Sequence, residues 1–157
     1  MATETLSIRS GNNADHELLG QLIHDAVRTG PSPYSETQRA AWVPAPRKGK
    51  DWSARLAAQT IFIAEADGQA LGFMTLAADG YLDFAYILPA ARGLGLFRQL
   101  YECVETEARK TGEPRIWVHA SLMAAPAFKA MGFKEIERET VHIDDVALDR
   151  FLMEKPL

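Results

Sequence analysis

Tyr86-Ile87-Leu88-Pro89-Ala90-Ala91-Arg92-Gly93-Leu94-Gly95-Leu96-Phe97-Arg98 joins an apolar run to a helical one through a turn that carries two glycines and a cation. Upstream, Tyr81 to Leu88 reads as a mostly apolar strand, buried on both faces, which Pro89 ends. Downstream, Leu96, Leu100, Cys103, Val104 and Ala108 share the inward face of a helix from Gly95 to Thr111, and Gly112 and Pro114 stop it. Gly93 and Gly95 permit dihedrals and a close backbone approach that a side chain would forbid. The N–H groups of the first helical turn have no partners within the helix, so that end attracts an anion by hydrogen bonding and by dipole. Arg92 adds a forked charge suited to phosphate. On the turn alone, plain strand-to-helix packing accounts for the glycines equally well.

Working outward, Ile116-Trp117-Val118-His119 is the next strand, and a strand-helix-strand step implies parallel pairing. On the other side, Asp67-Gly68 and Asp79-Gly80 divide Ile61–Ile63, Ala70–Leu76 and Tyr81–Leu88 into a three-stranded meander. Before it lie a short edge strand, Leu6–Arg9, and a helix whose apolar positions are Leu18, Leu19, Leu22, Ile23, Ala26 and Val27, capped by Asn13 and stopped at Gly30-Pro31. Ser35-Glu36-Thr37-Gln38 is a capping box for a second helix to Trp42; Arg47-Lys48-Gly49-Lys50 reads as a solvated loop, contact with an acid or a phosphate being its other reading; Asp51 caps a third short helix through Ala58. After Val118, Pro126 opens a short helix closing at Gly132, and Phe133–Thr140 and Val146–Glu154 form a last antiparallel pair. The order β-αα-βββ-α-β-α-ββ describes an α+β fold whose mixed sheet changes from an antiparallel meander to parallel pairing at its central strands, flanked by helices.

The 157 residues are expected to form a single domain over 1–157. With 47% hydrophobic and 24% charged residues, disordered, collagen-like and coiled-coil chains are excluded. No apolar run approaches the ~18 residues of a membrane span, and the N-terminus lacks the basic and apolar stretches of a secretory leader. The one cysteine, Cys103, cannot make an internal disulfide or a multi-cysteine metal site, and it reads as a buried thiol. His16, His24 and His142 lack ligand spacing, so no metal is expected. A cytoplasmic protein without membrane or nucleic-acid partners is the expectation, the net charge of -4 arguing against a nucleic-acid surface.

Two phosphate motifs fail on the central turn. A Walker loop needs Gly-Lys-Ser/Thr, and a dinucleotide fingerprint needs a third glycine where Arg98 stands. The stretch Arg92-Gly93-Leu94-Gly95-Leu96-Phe97 instead resembles the R/Q-x-x-G-x-G/A turn of the GNAT (GCN5-related N-acetyltransferase) family, departing at Phe97. Ala127-Phe128-Lys129-Ala130-Met131-Gly132-Phe133 resembles that family's second signature, and the end, Met153-Glu154-Lys155, resembles a bacterial subgroup of it. Element order extends the resemblance over nearly the whole chain.

The resemblance implies acetyl-CoA as co-substrate and direct attack on it by a primary amine in a ternary complex, the acceptor being a small molecule or a peptide and the enzyme a monomer or a homodimer. It implies that Ile87 and Leu88 pair with the pantetheine arm, with the Leu88 N–H as oxyanion donor. It places Arg92, Gly93 and the N–H groups of Leu94, Gly95, Leu96 and Phe97 at the pyrophosphate, and Phe128 and Lys129 beside the pantetheine end, plain core packing being the other reading of Phe128. Phe128 stands where many members carry a proton-donating tyrosine. Tyr86, a water, or departure as free thiolate are the alternatives, the last being tolerable at a thiol pKa of ~8.5. An amine of pKa ~10 must lose a proton. Asp83 and His119 are the candidate bases, with Glu65 acting through a water; hydrogen bonding in a bulge is the other reading of Asp83, and a structural role that of His119. Tyr34, Trp42 and Trp52 are the large side chains for an acceptor site between the first two helices and the central strands, core packing being the favoured reading of each one individually, and acceptor choice falls to that helical segment. Overall acidity suits a cationic acceptor. A non-catalytic acyl-CoA sensor and a nucleotide-binding module are the competing readings.

Overall fold

The computed structural model describes residues 6–157; residues 1–5, where the absence of a leader was read, lie outside it. The chain opens with β1 (Leu6–Ser10), a 3-10 turn at Asn13–Asp15, and three helices: α1 (His16–Arg28), α2 (Glu36–Trp42) and α3 (Lys50–Ala57). Then come β2 (Thr60–Ala66), β3 (Gln69–Leu76), β4 (Tyr81–Ile87), α4 (Leu96–Lys110), β5 (Arg115–Ser121), α5 (Ala125–Ala130), β6 (Lys134–Ile143) and β7 (Val146–Pro156). All three helices expected before the meander lie between β1 and β2, one more than the written order β-αα-βββ-α-β-α-ββ counts. The strands form one sheet in the order β1-β2-β3-β4-β5-β7-β6, antiparallel throughout except at β4–β5.

Local chemistry sets the element ends. Asn12, rather than Asn13, caps the first turn, forming a capping box with Asp15. Ser35 and Gln38 close the expected box on α2. The third helix starts one residue before Asp51: Gly49, at φ 94°, is its cap and makes no side-chain bond. Asp67 and Gly68 both take positive φ, 51° and 78°, in a two-residue turn between Ala66 and Gln69, the geometry that matches strand twist.

The helices cover the sheet on two faces. Leu96, Leu100, Tyr101, Val104 and Ala108 of α4 pack with Met74, Leu82, Ile116, Val118, Phe128 and Met153; Cys103 is only half-buried, and Tyr101 takes the interior place instead. Leu19, Leu22, Ile23 and Val27 of α1 pack with Trp52, Leu56, Ile63, Phe73 and Phe84 on the opposite face. β4 buries a residue on each face, Leu82 on the α4 side and Phe84 on the α1 side. Tyr81, Asp83 and Ala85 to Ile87 are only half-buried, because they border cavities.

Two irregularities in β4 make those cavities. Against β3, Leu76 faces Leu82 and Met74 faces Ala85, so β4 holds one extra residue there, a bulge. The bulged Phe84 N–H donates instead to the Thr75 hydroxyl at 3.1 Å. Against β5, β4 pairs only at Tyr81–Trp117 and Leu82–Val118, after which the parallel strands part.

Candidate active site

Where β4 and β5 part, a cleft of about 400 Å³ opens, lined on one side by Ala85, Tyr86 and Ile87 and on the other by Met123, Ala124, Ala127, Ala130 and Met131. The Leu88 N–H is not free for an oxyanion, since it donates to the Leu71 carbonyl at 2.9 Å. Antiparallel hydrogen bonds alternate, so the Ile87 N–H points away from β3, into the cleft. The strand-end donor is therefore one residue earlier than expected.

At the mouth, Gly93 and Gly95 both take left-handed dihedrals, φ 83° and 80°, and Gly95 starts α4. The first helical N–H to find a carbonyl is that of Gln99, on Gly95. The N–H groups of Leu96, Phe97 and Arg98 lie ahead of it, unpaired within the helix, and these three residues line the cleft. Leu94 is 50% exposed and lies outside the lining.

Arg92 is not the free phosphate cation that its position in the motif implies. Its guanidinium donates to the carbonyls of Ile87 (3.3 Å), Pro31 (3.4 Å) and Ala26 (3.1 Å), tying the turn to the end of α1. The cation at the mouth is Arg98, which sequence reasoning met only as a failed glycine. The Phe97 ring turns onto Phe128, with centroids 5.0 Å apart, while still forming part of the cleft wall. Phe128 and Lys129 do not flank the cleft. Phe128, 1% exposed, packs between Phe97 and Phe133, and Lys129 projects outward to Glu135 at 3.6 Å. The face of α5 toward the cleft is instead the small-residue face, Ala124, Ala127 and Ala130.

A second cavity of about 200 Å³ adjoins the first and shares Tyr34, Trp42, Tyr86 and Ser121 with it. Tyr34 and Trp42 pack edge-to-face, and Tyr86 lies 6.2 Å from Trp42. The Tyr34 hydroxyl donates to the Asp149 carbonyl and accepts from the Leu122 N–H, so it is committed to structure. The Tyr86 hydroxyl makes no hydrogen bond among the described residues, and burial pushes its pKa up, keeping it protonated. Trp52 is not a cavity wall here. It is 5% exposed, packs on Phe84 and donates its indole N–H to the His16 carbonyl. The expected site between the first helices and the central strands also omits one wall: Val141, Ile143, Leu148, Asp149 and Arg150, from the β6–β7 hairpin, face the cavity.

The candidate bases divide. Asp83 accepts a fork from Arg55, at 2.9 and 2.7 Å, and a third bond from Gln59 at 2.7 Å; beside the bulge, it holds α3 to the sheet. Glu65 is paired with Arg9 at 2.9 Å near the outer edge, where Arg9 also holds Asp15, so it does not reach the cavity. His119 does. Its Nδ1 lies 2.9 Å from the Tyr81 hydroxyl and its Nε2 lies 3.6 Å from Glu139 Oε1. Burial, and then the charge of Arg150, lower its pKa, against smaller opposing effects of Glu139 and Asp83. The ring is therefore neutral at pH 7, and Glu139 favours the proton on Nε2, leaving Nδ1 to accept from Tyr81. Tyr81, whose hydroxyl pKa is raised by burial, carries no motif that a sequence reading would notice.

Among the described residues, no helix is long and apolar enough to cross a membrane, and no group of three or more His, Cys, Asp or Glu is placed to hold a metal ion. Residues 31–144 match the sequence model of the acetyltransferase (GNAT) domain. The chain is 25% identical over 150 residues to the uncharacterized N-acetyltransferase YafP of Escherichia coli (strain K12), with 94% of each chain covered. A crystal structure of a GCN5-related N-acetyltransferase from Rhodopseudomonas palustris superposes with a TM-score of 0.89 at 28% identity, covering 100% of this chain and 99% of that one. The phosphinothricin acetyltransferase of Sinorhizobium meliloti in complex with AcCoA shares the fold at a TM-score of 0.74 and 18% identity, covering 98% of this chain and 89% of that one.

Proposed function

The chain belongs to the GNAT acetyltransferase family, and from that premise we propose that it acetylates a primary amine by direct attack, the amine in the smaller cavity and acetyl-CoA in the cleft. The observation that carries this reading is the wall the two cavities share, Tyr34, Trp42, Tyr86 and Ser121, where the strands part. When bound, acetyl-CoA supplies a thioester carbonyl and a thiolate leaving group; everything else is done by the chain.

The residues present fit that ligand. The cleft's apolar flanks suit the pantetheine arm, the Ile87 N–H is available to the thioester oxygen, and the open N–H groups of Leu96, Phe97 and Arg98 with the Arg98 guanidinium suit the pyrophosphate. Gly93 and Gly95 keep that approach free of side chains. In the second cavity, Tyr81 takes the proton of the attacking amine while passing its own to His119 Nδ1, and Glu139 faces the imidazolium so formed. As the new N–C bond forms, the C–S bond breaks and the electron pair leaves on sulfur as a thiolate, tolerable at a thiol pKa of ~8.5, with the protonated Tyr86 hydroxyl as a hydrogen-bond donor to it. Asp83 positions Arg55 and α3 and takes no proton.

Thiol release from acetyl-CoA across amines, polyamines, amino acids and peptides tests the reading. The expected result is release with at least one amine, falling by about 10²–10⁴-fold in His119→Gln while acetyl-CoA affinity holds. Tight acetyl-CoA binding with no release from any amine would make the chain an acyl-CoA sensor.

A further inference from the structure

The second cavity holds an unbalanced cation. Of its charged lining residues, Asp83 is forked to Arg55, and Asp149 turns its carboxylate to Arg138 and Thr140. Arg150 lies 3.8 Å from Glu139, beyond hydrogen-bonding distance, and its Nε is buried without a partner. Arg47 has no carboxylate within ion-pair distance among the described residues, and its Nε is also buried without a partner. A guanidinium donor withdrawn from water and left unpaired is costly, and a ligand that accepts from it in this cavity would offset that cost.

The fold holds Arg47 at this place. Its carbonyl oxygen lies against Gly20 of α1, where any Cβ would overlap it, and its guanidinium lies 5.8 Å from the centre of the Trp52 ring. Trp42, Phe84, Val141, Ile143 and Leu148 give the cavity its apolar walls, and the hydroxyls of Tyr34, Tyr81, Tyr86 and Ser121 and the His119 ring line it as well. At about 200 Å³, it has room for a small molecule.

We propose that the acceptor is a small amine that carries its own carboxylate, of the amino-acid class, with that carboxylate held by Arg47 and Arg150 and the amine turned toward Tyr81 and His119. This rests on the acetyltransferase reading and reverses the cationic acceptor that the overall charge of -4 implies. The local charge outweighs the global one because ionic interactions across the surface are screened within ~8 Å at physiological salt, whereas buried ones are not.

The test compares the twenty standard amino acids with the matched amines and amides of leucine, phenylalanine and glutamate, in two readouts: thiol release from acetyl-CoA, and calorimetric titration into the CoA-loaded protein. At least one amino acid is expected to exceed its amine and amide counterparts at least tenfold in kcat/KM. Arg47→Gln should remove that preference through KM, with kcat and acetyl-CoA affinity little changed; Arg47→Lys should restore part of it, and Arg150→Gln should weaken amino-acid binding independently. Equal or better use of the amine or amide overturns the proposal, as does a preference that survives Arg47→Gln. If no amine releases thiol, the titration separates the two readings. Amino-acid binding lost in Arg47→Gln sustains the carboxylate site while the transferase reading falls, and no amino-acid binding overturns the site.

Discussion

The Phe84 N–H and the Thr75 hydroxyl meet at 3.1 Å at the one place where β3 and β4 fall out of register. Thr75 is wholly buried, and its side chain does for Phe84 what a strand carbonyl does elsewhere. Thr75→Val removes the acceptor and strands the N–H, which should cost about 1–3 kcal/mol in urea unfolding. It should also weaken acetyl-CoA binding, because Ala85 to Ile87 owe their alignment to the bulge. Thr75→Ser should restore both, and an unchanged Thr75→Val protein would show that the bulge is held by something else.

The His119 ring should leave its mark on the pH profile. Its pKa is lowered by burial and then by Arg150, so kcat should be flat near neutrality and fall as pH drops through a value below the ordinary ~6.5. Arg150→Gln removes a positive charge and should move that acid limb upward. A limb that stays put in Arg150→Gln, or that survives in His119→Gln, assigns the titration to another group.

Asp83 and His119 are separable by the same measurements. Asp83→Asn breaks the fork to Arg55, and an exposed partner limits the cost; a drop of about tenfold in kcat/KM is expected, equivalent to ~1.4 kcal/mol, with the acid limb retained. Loss of the limb in Asp83→Asn alone would make the carboxylate the base.

The motif implies Arg92 as the pyrophosphate cation, and the proposed cation is Arg98, which lines the cleft mouth. Arg98→Gln should raise the acetyl-CoA dissociation constant several-fold, most clearly at low salt, and leave the melting temperature in place. Arg92→Ala should do the reverse. It releases three carbonyls, one on Ala26 of α1, and should lose about 1–3 kcal/mol of stability.

What sequence reading reaches here is whatever neighbours decide. Asp67-Gly68 makes its turn because two adjacent residues accept positive φ, and Ser35 caps α2 because Gln38 is three residues on. The Gly93–Gly95 turn is likewise local. The destinations of side chains and strand hydrogen bonds are not: Arg92 reaches Ala26, Tyr34 reaches Asp149, and Leu88 spends its N–H on Leu71. Asp83 stands out in the sequence as a carboxylate in an apolar strand, yet its meaning depends on Arg55 and Gln59, which precede it in the chain by the whole of β2 and β3. The hairpin that walls the second cavity belongs to the last quarter of the chain, where the sequence reads only as a last antiparallel pair.

The common wall of Tyr34, Trp42, Tyr86 and Ser121 also limits the donor. With the thioester seated at that wall, each methylene added to the acyl group extends into the roughly 200 Å³ that the amine must occupy. Chain length on one substrate is thus exchanged for bulk on the other: a propionyl donor leaves room only for a slimmer acceptor, and a long fatty acyl group closes the second cavity to any amine.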